Sequence, residues 1–282
     1  LKVRRFNPET DTPGAEPRYQ EYSLDVHPAS TVLDVLIDIR EKLDGTLTLR
    51  CACRASICGS CGMRVNGRAR LVCKTQVKSV AKDGEQITID PMGNQPVIKD
   101  LVVDLSTFFG QMKRVTPWLQ PDKVPAKGEF IASYDSMNHL VGVMNCIMCG
   151  VCVSDCTVLD VDSQFIGPAA LAKAYRFVAD PRDDKRSDRL KFLNNEHGGI
   201  WDCTRCSMCV EVCPKGVAPM DRIMAMRDMA IEADPGEAGA ETRITIATFR
   251  NLMIGHYLGR SLLQVEAAME KAGTLAGAIA LL

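Results

Sequence analysis

Aromatic side chains are scarce in this chain. They make up 5% of 282 residues, with only two tryptophans, so a core built from Val, Ile, Leu and Met is expected. A surplus of charge is missing as well: 34 Lys and Arg face 35 Asp and Glu, for a net charge of -1. That balance argues against a nucleic-acid binder, which needs excess cation to displace counterions from phosphates. No stretch reaches the roughly 18 predominantly apolar residues of a spanning helix; the uncharged run Ser136 to Ser154 is broken by serine, asparagine, histidine and cysteine. Leu1 to Arg5 carry charge with no apolar stretch behind them, so no secretory leader is expected there. Walker and G-x-G-x-x-G loops are absent. His27, His139, His197 and His256 stand alone, outside any triad-like spacing, and read as surface or packing residues. What remains, 46% hydrophobic and 24% charged residues, is the profile of a globular protein.

Against these absences stand thirteen cysteines in three groups: five from Cys51 to Cys73, four from Cys146 to Cys156 and four from Cys203 to Cys213. A disulfide framework suits short secreted chains, and an odd total spaced at two and three residues suits it poorly. Such spacing lets neighbouring thiolates converge on metal.

Cys53, Cys58 and Cys61 have the spacing C-x4-C-x2-C, and Cys73 follows. This is the plant-type arrangement for a 2Fe–2S cluster. The loop Cys58-Gly59-Ser60-Cys61-Gly62 is expected to turn backbone amides toward cluster sulfur. A zinc ribbon is the alternative, but it needs a second close pair, and Cys73 has no such partner. Cys51 is surplus, because using it would widen the x4 gap, and it reads as a small buried residue.

Cys146, Cys149, Cys152 and Cys156 form C-x2-C-x2-C-x3-C; Cys203, Cys206, Cys209 and Cys213 repeat it and add Pro214. In this bacterial ferredoxin run the fourth cysteine serves the other cluster. Cys146, Cys149, Cys152 and Cys213 are therefore expected at a 4Fe–4S site, and Cys156, Cys203, Cys206 and Cys209 at a third. With Cys206 as fourth ligand the third cluster is 4Fe–4S; if Cys206 turns away it is 3Fe–4S on the other three. Met144, Met148, Met208, Met220, Met224 and Met226, near these groups, read as apolar shielding.

Local patterns divide the chain in two. Lys2–Phe6 and Tyr19–Val26 alternate as strands, and Thr31 with Asp34 caps a helix running through Val32, Val35, Leu36, Ile39 and Leu43 to Gly45. Asn66-Gly67 marks a hairpin, and Ile87 and Ile89 mark a last strand. The segment from Pro117 to Gly128 reads as a linker or interdomain surface. Beyond it the periodicity is helical, with segments opening at Pro168, over Asp221–Ile231 and over Thr242–Ile279, and the charge run Asp180–Arg189 reads as a solvated loop. The fold class is α+β.

Three cysteine groups in this order resemble the iron–sulfur subunit of succinate dehydrogenase and fumarate reductase. Asp100-Leu101-Val102-Val103-Asp104, Pro117-Trp118-Leu119, Phe165-Ile166-Gly167-Pro168-Ala169-Ala170, Ala174-Tyr175-Arg176-Phe177 and Cys213-Pro214-Lys215-Gly216 are similar to family segments, so the likeness covers about residues 1 to 230. The resemblance implies a β-grasp plant-type ferredoxin domain (1–105), an all-α bacterial-ferredoxin-like domain (106–235) and a helical extension (236–282) docking on a partner. It implies an oxidoreductase subunit with no catalytic residue of its own. Electrons would pass between an FAD-containing succinate or fumarate subunit and a quinone-binding membrane anchor, from the cytoplasmic face of the inner membrane. Thr157 to Val161 lack the tryptophans common in ubiquinone-using members, so menaquinone stands beside ubiquinone. Many members carry a non-cysteine residue where Cys206 stands. A soluble thiol:fumarate or heterodisulfide-type reductase subunit is the competing reading, and it often adds a large cysteine-rich domain.

Overall fold

The computed structural model describes residues 1–12, 16–122, 124–195 and 197–233. The expected extension over 236–282, its helices over Thr242–Ile279 and His256 lie outside the described residues.

The N-terminal half is a mixed sheet crossed by one helix. Strands β1 (Lys2–Arg5) and β2 (Arg18–Glu21) pair antiparallel. Residues 23–26 extend the alternating pattern but not the ladder, whose last bond runs from the Tyr22 N–H to the Leu1 carbonyl. Helix α1 (Val32–Asp38) starts at a complete capping box: the Thr31 hydroxyl accepts from the Asp34 amide, and the Asp34 carboxylate accepts from the Thr31 amide. A π-turn over Ile39–Leu43 prolongs it. The hairpin of β3 (Gly62–Val65) and β4 (Arg68–Leu71) turns at Asn66 and Gly67, both at positive φ, as a type I′ turn demands. Strand β5 (Thr88–Asp90) slots between β1, parallel, and β3, antiparallel, giving the order β2-β1-β5-β3-β4. A further pair, β6 (Val97–Lys99) and β7 (Val102–Val103), is too short for a sequence pattern to reveal. Val3, Leu33, Leu36, Met63 and Ile89 fill the core between sheet and α1.

The second half is helical: α2 (Ser106–Arg114), α3 (Tyr134–Asn138), α4 (Val151–Ser154), α5 (Pro168–Val178), α6 (Arg186–Asn195), α7 (Met208–Glu211) and α8 (Pro219–Ala233). Its own core gathers Phe165, Leu171, Leu193, Ile200, Ile223 and Met226. The Asp180–Arg189 run is only in part the solvated loop its charges suggest: Asp184, Arg186 and Asp188 are exposed, but Asp180, Asp183 and Arg189 are buried. The Asp183 side chain is fully buried and Arg189 nearly so, and they pair at 2.9 Å. Arg189 also donates to the carbonyls of Val115, Thr116 and Trp118, tying the start of the expected linker to the helical core. Asp180 is buried between Arg176 and Arg182. Here opposite charges neutralise one another inside the fold, which composition alone cannot distinguish from a wet surface.

The two halves are joined by polar contacts as well as packing. Val151 and Val212, from the helical half, complete the core of the sheet half. The buried Asp155 carboxylate accepts from Arg64 Nε at 3.0 Å and the Ala69 amide at 2.8 Å. Asn94 Nδ2 donates to the carbonyls of Val153 and Cys156 at 2.9 Å each, and the Gly93 amide to Ser154 Oγ. Thus the turn carrying Cys152 and Cys156 is held by the sheet half.

Candidate iron–sulfur centres

All thirteen cysteines are free thiols. Cys51, Cys53, Cys58 and Cys61 of the first group sit on the loop between the π-turn and β3, and Cys73 follows β4. Arg54 and Ser56 adopt positive φ, and such alternation aims successive amides to one side. The amides of Ala55, Ile57 and Cys58 all point at Cys53 Sγ, and that of Ser56 at Cys73 Sγ, each at 3.3 Å. Inward donors therefore come from residues 55–58, and the Ser60 amide adds one to Cys58. The Ser60 hydroxyl lies 3.1 Å from Cys58 Sγ and, with backbone amides, pulls that thiol down to about 6. Burial pushes Cys61 up to about 12, with Cys73 and Cys58 as its charged neighbours. Cys51 is half-buried against the sheet core.

Gly59 has another use. A Cβ on it would lie 2.6 Å from Cys149 Cβ and 2.8 Å from Cys149 Cα, and its φ is +75°. The loop of the first group thus rests directly on the second.

Electrostatic neighbours sort the remaining eight thiols. Burial raises Cys149 to about 11, and the charges it feels are those of Cys146 and Cys213. Cys152 is raised by burial and then by Cys149, Cys146, Cys209 and Cys213. One cavity is lined by Cys146, Cys149, Cys152 and Cys213 together with Ala169, Ala172, Val217 and Pro219. Cys156, raised by burial to about 11, faces Cys203 and Cys206, and Cys209, raised to about 12, faces Cys203, Cys156 and Cys206. Each run contributes three thiols to one place and its last to the other.

The two runs also share a backbone. Met148 and Gly150 flank Cys149 at positive φ; Arg205 and Ser207 flank Cys206 the same way, and α4 and α7 follow at the same offset. Cys206 therefore occupies the loop position of Cys149, with its sulfur 3.5 Å from the Thr157 hydroxyl. The shielding expected of methionine is uneven: Met226 is fully buried and Met220 and Met224 pack on the helical core, but Met144 and Met148 are exposed. His27, His139 and His197 lie at the surface.

Sequence reasoning missed Arg227. It is buried on α8, donates to the carbonyls of Ile200, Trp201 and Cys203, and stacks 5.1 Å over Trp201. Burial lowers it to about 10, which still leaves a cation beside the third group at neutral pH. Nothing local in the sequence marks it, because its partners lie 24 to 27 residues away.

Among the described residues no three His, Cys, Asp or Glu side chains close on a single-ion position; the neighbour sets and inward amides carry the fit to polynuclear clusters. A 2Fe-2S iron-sulfur cluster binding domain family matches residues 1–110 and a 4Fe-4S dicluster domain family residues 142–217. A mitochondrial succinate dehydrogenase [ubiquinone] iron-sulfur subunit 3 of Arabidopsis thaliana is 35% identical over 238 residues, 83% of this chain and 76% of the relative. The chain belongs to the succinate dehydrogenase and fumarate reductase iron–sulfur subunit family. A fumarate reductase iron-sulfur subunit of Mycobacterium tuberculosis is 38% identical, covering 79% of this chain and 89% of its own. The solved Mycobacterium smegmatis Sdh1 complex in the apo form contains a chain with TM-score 0.75 and 26% identity, covering 84% of this chain and 97% of that one. Family membership makes this an electron-transfer component of an oxidoreductase complex, carrying 2Fe–2S and 4Fe–4S clusters and associated with the membrane. Among the described residues no helix is long and apolar enough to cross a membrane. The zinc reading gives way to iron–sulfur, and the thiol:fumarate or heterodisulfide alternative finds no support among these relatives.

Proposed function

We propose that this chain relays single electrons between an FAD-containing succinate or fumarate subunit and a quinone, menaquinone or ubiquinone, at a membrane anchor on the cytoplasmic face of the inner membrane. Cys53, Cys58, Cys61 and Cys73 would hold the 2Fe–2S cluster; Cys146, Cys149, Cys152 and Cys213 a 4Fe–4S cluster; and Cys156, Cys203, Cys206 and Cys209 a third, four-iron cluster. Bound clusters supply one-electron redox chemistry over a span of roughly −700 to +450 mV, set by their surroundings. Everything else falls to the protein. Amides at 55–58 compensate thiolate charge, burial keeps water from Cys156 and Cys209, and Arg227 adds a fixed cation beside Cys203. The carrying observation is the series arrangement: the first loop touches Cys149 at Gly59, and Cys152 neighbours Cys209. A mixed sheet of order β2-β1-β5-β3-β4 crossed by α1 supports a β-grasp domain over 1–105, and the separate helical core supports a second over 106–235.

Because no described residue forms a substrate triad or nucleotide loop, the full chain alone should reduce no fumarate with a chemical reductant, whereas the assembled complex should. Turnover by the chain alone would overturn the relay reading. Cys51→Ser should leave the 2Fe–2S signal in electron paramagnetic resonance intact, and Cys58→Ser should perturb or abolish it; the reverse result would show the ligand set to be wrong. For the third cluster, the shared backbone around Cys149 and Cys206 favours four ligands. The air-oxidised protein should then lack a full-occupancy three-iron signal, and Cys206→Ala should create one. A full-occupancy signal in the unmodified protein, unchanged in Cys206→Ala, would refute the four-iron assignment.

A further inference from the structure

A pocket of about 300 Å³ opens at the seam of the two halves, between edge strand β4 and the end of α7. That volume matches the lower range of small-ligand sites. Arg68, Arg70 and Lys74 line one wall; Glu211, Cys213 and Pro214 line the other. Arg68 and Arg70 alternate with buried Ala69 and Leu71 along β4, so both face away from the sheet core. Glu211 is spoken for by Arg68, in an ion pair that spans the seam. Arg70 and Lys74 have no carboxylate partner among the described residues, which leaves two net positive charges on the pocket.

Arg70 Nε is also a buried donor with no acceptor. Such a donor is costly to leave unmade, and here it belongs to a guanidinium lining an open space. The nearby hydroxyls do not answer it: Thr75 donates to the Leu71 carbonyl and Ser79 to that of Gln76. Recognition in this pocket therefore falls to Arg70 and Lys74, a fork and a point charge, the pair of donors that suits oxyanions.

We propose that this seam pocket is a binding site for a small multivalent oxyanion, held by Arg70 and Lys74. Phosphate and short dicarboxylates share that chemistry. The bound anion would brace the two halves, because its wall residues come from both. It would also place negative charge next to Cys213. The binding step is independent of the cluster assignment; an effect on cluster potential rests on the reading that Cys213 ligates the first 4Fe–4S cluster.

The test uses the full chain with its clusters, kept anaerobic at fixed ionic strength with chloride as balancing anion. Inorganic phosphate and malonate are titrated separately by calorimetry. Saturable binding of at least one is expected, and which one identifies the source. Arg70→Gln and Lys74→Gln should each weaken it by about tenfold, the ~1.4 kcal/mol of one lost charge-assisted hydrogen bond. Lys127→Gln, on an exposed loop outside the pocket's lining, should not. Lys74 is exposed, so its substitution tests the site without threatening the fold. The second readout is a redox titration, in which the bound anion should lower the 4Fe–4S midpoint in the unsubstituted chain and in Arg70→Gln should need about tenfold more anion for the same shift. Absence of saturable binding for both probes would overturn the proposal, as would binding unchanged in both variants. A potential shifted by Arg70→Gln with no anion dependence would overturn it too, since the pocket would then be a fixed countercharge to Cys213. Binding without a potential shift keeps the site and sinks only the coupling to Cys213.

Discussion

Gly59→Ala should uncouple the first cysteine group from the second while leaving the thiols of both in place. Two effects act together. A residue with a Cβ at φ +75° carries about 1–2 kcal/mol of left-handed strain. The larger effect is steric, because the new methyl would overlap Cys149 Cβ and Cα, which are backbone-fixed and cannot swing aside. The loop must lift or Cys149 must retreat. Tunnelling between redox centres falls exponentially with their separation, so moving one centre away from the other slows the transfer between them. Succinate-to-quinone turnover of the assembled complex should drop severalfold, and freeze-quench spectroscopy should show electrons held on the first cluster. Gly62→Ala meets mainly the thioether of Met92, a flexible side-chain end at 2.9 Å, and should have a smaller effect. Equal rates in Gly59→Ala and the parent would show that this contact does not set the relay distance.

Asp155→Ala should be the most destabilising single change at the seam. The carboxylate is nearly inaccessible and accepts from Arg64 and from the Ala69 amide. Its removal strands a guanidinium and a buried N–H. Breaking a buried pair from one side costs about 3–5 kcal/mol; Arg64 is 34% exposed and water can partly replace its partner, so about 3 kcal/mol is expected. For a chain of this size that lowers the melting temperature by roughly 6–12 °C. Asp155→Asn keeps an acceptor for Ala69 and loses only charge, so it should fall between. Because Asp155 directly precedes Cys156, the third-cluster spectrum should broaden in the alanine variant as well. A melting shift no larger than that of a surface substitution, with an unchanged spectrum, would remove Asp155 from this role.

What could be read beforehand was local. The cysteine runs place three thiols on one short loop, so spacing alone implied convergence, and the structure draws the expected neighbours together. Thr31 with Asp34 and Asn66 with Gly67 act over three residues or fewer, and both behave as read. Long-range polar chemistry was hidden. Asp155 meets Arg64 across 91 residues, and Arg189 meets Val115 across 74. A charged residue reads the same in sequence whether it is hydrated or buried against its counterion. The amides that face Cys53 escaped for a different reason: they depend on left-handed backbone at Arg54 and Ser56, residue types that do not announce it.

The proposed exchange of last cysteines between the two runs bears on how the protein is made. Cys156 leaves the ribosome early but finds its neighbours only after Cys203, Cys206 and Cys209 have followed, and the early trio of Cys146, Cys149 and Cys152 lacks Cys213 until later still. On the proposed ligand sets neither centre would be completed on a nascent fragment. Since metal binding is itself folding energy in such domains, loading one centre pins both runs and preorganises the other. Iron incorporation into the helical half should therefore be all-or-none, and a chain truncated between the runs should retain neither centre. The same interlock restricts inheritance: one run cannot be lost or exchanged without dismantling the site completed by the other.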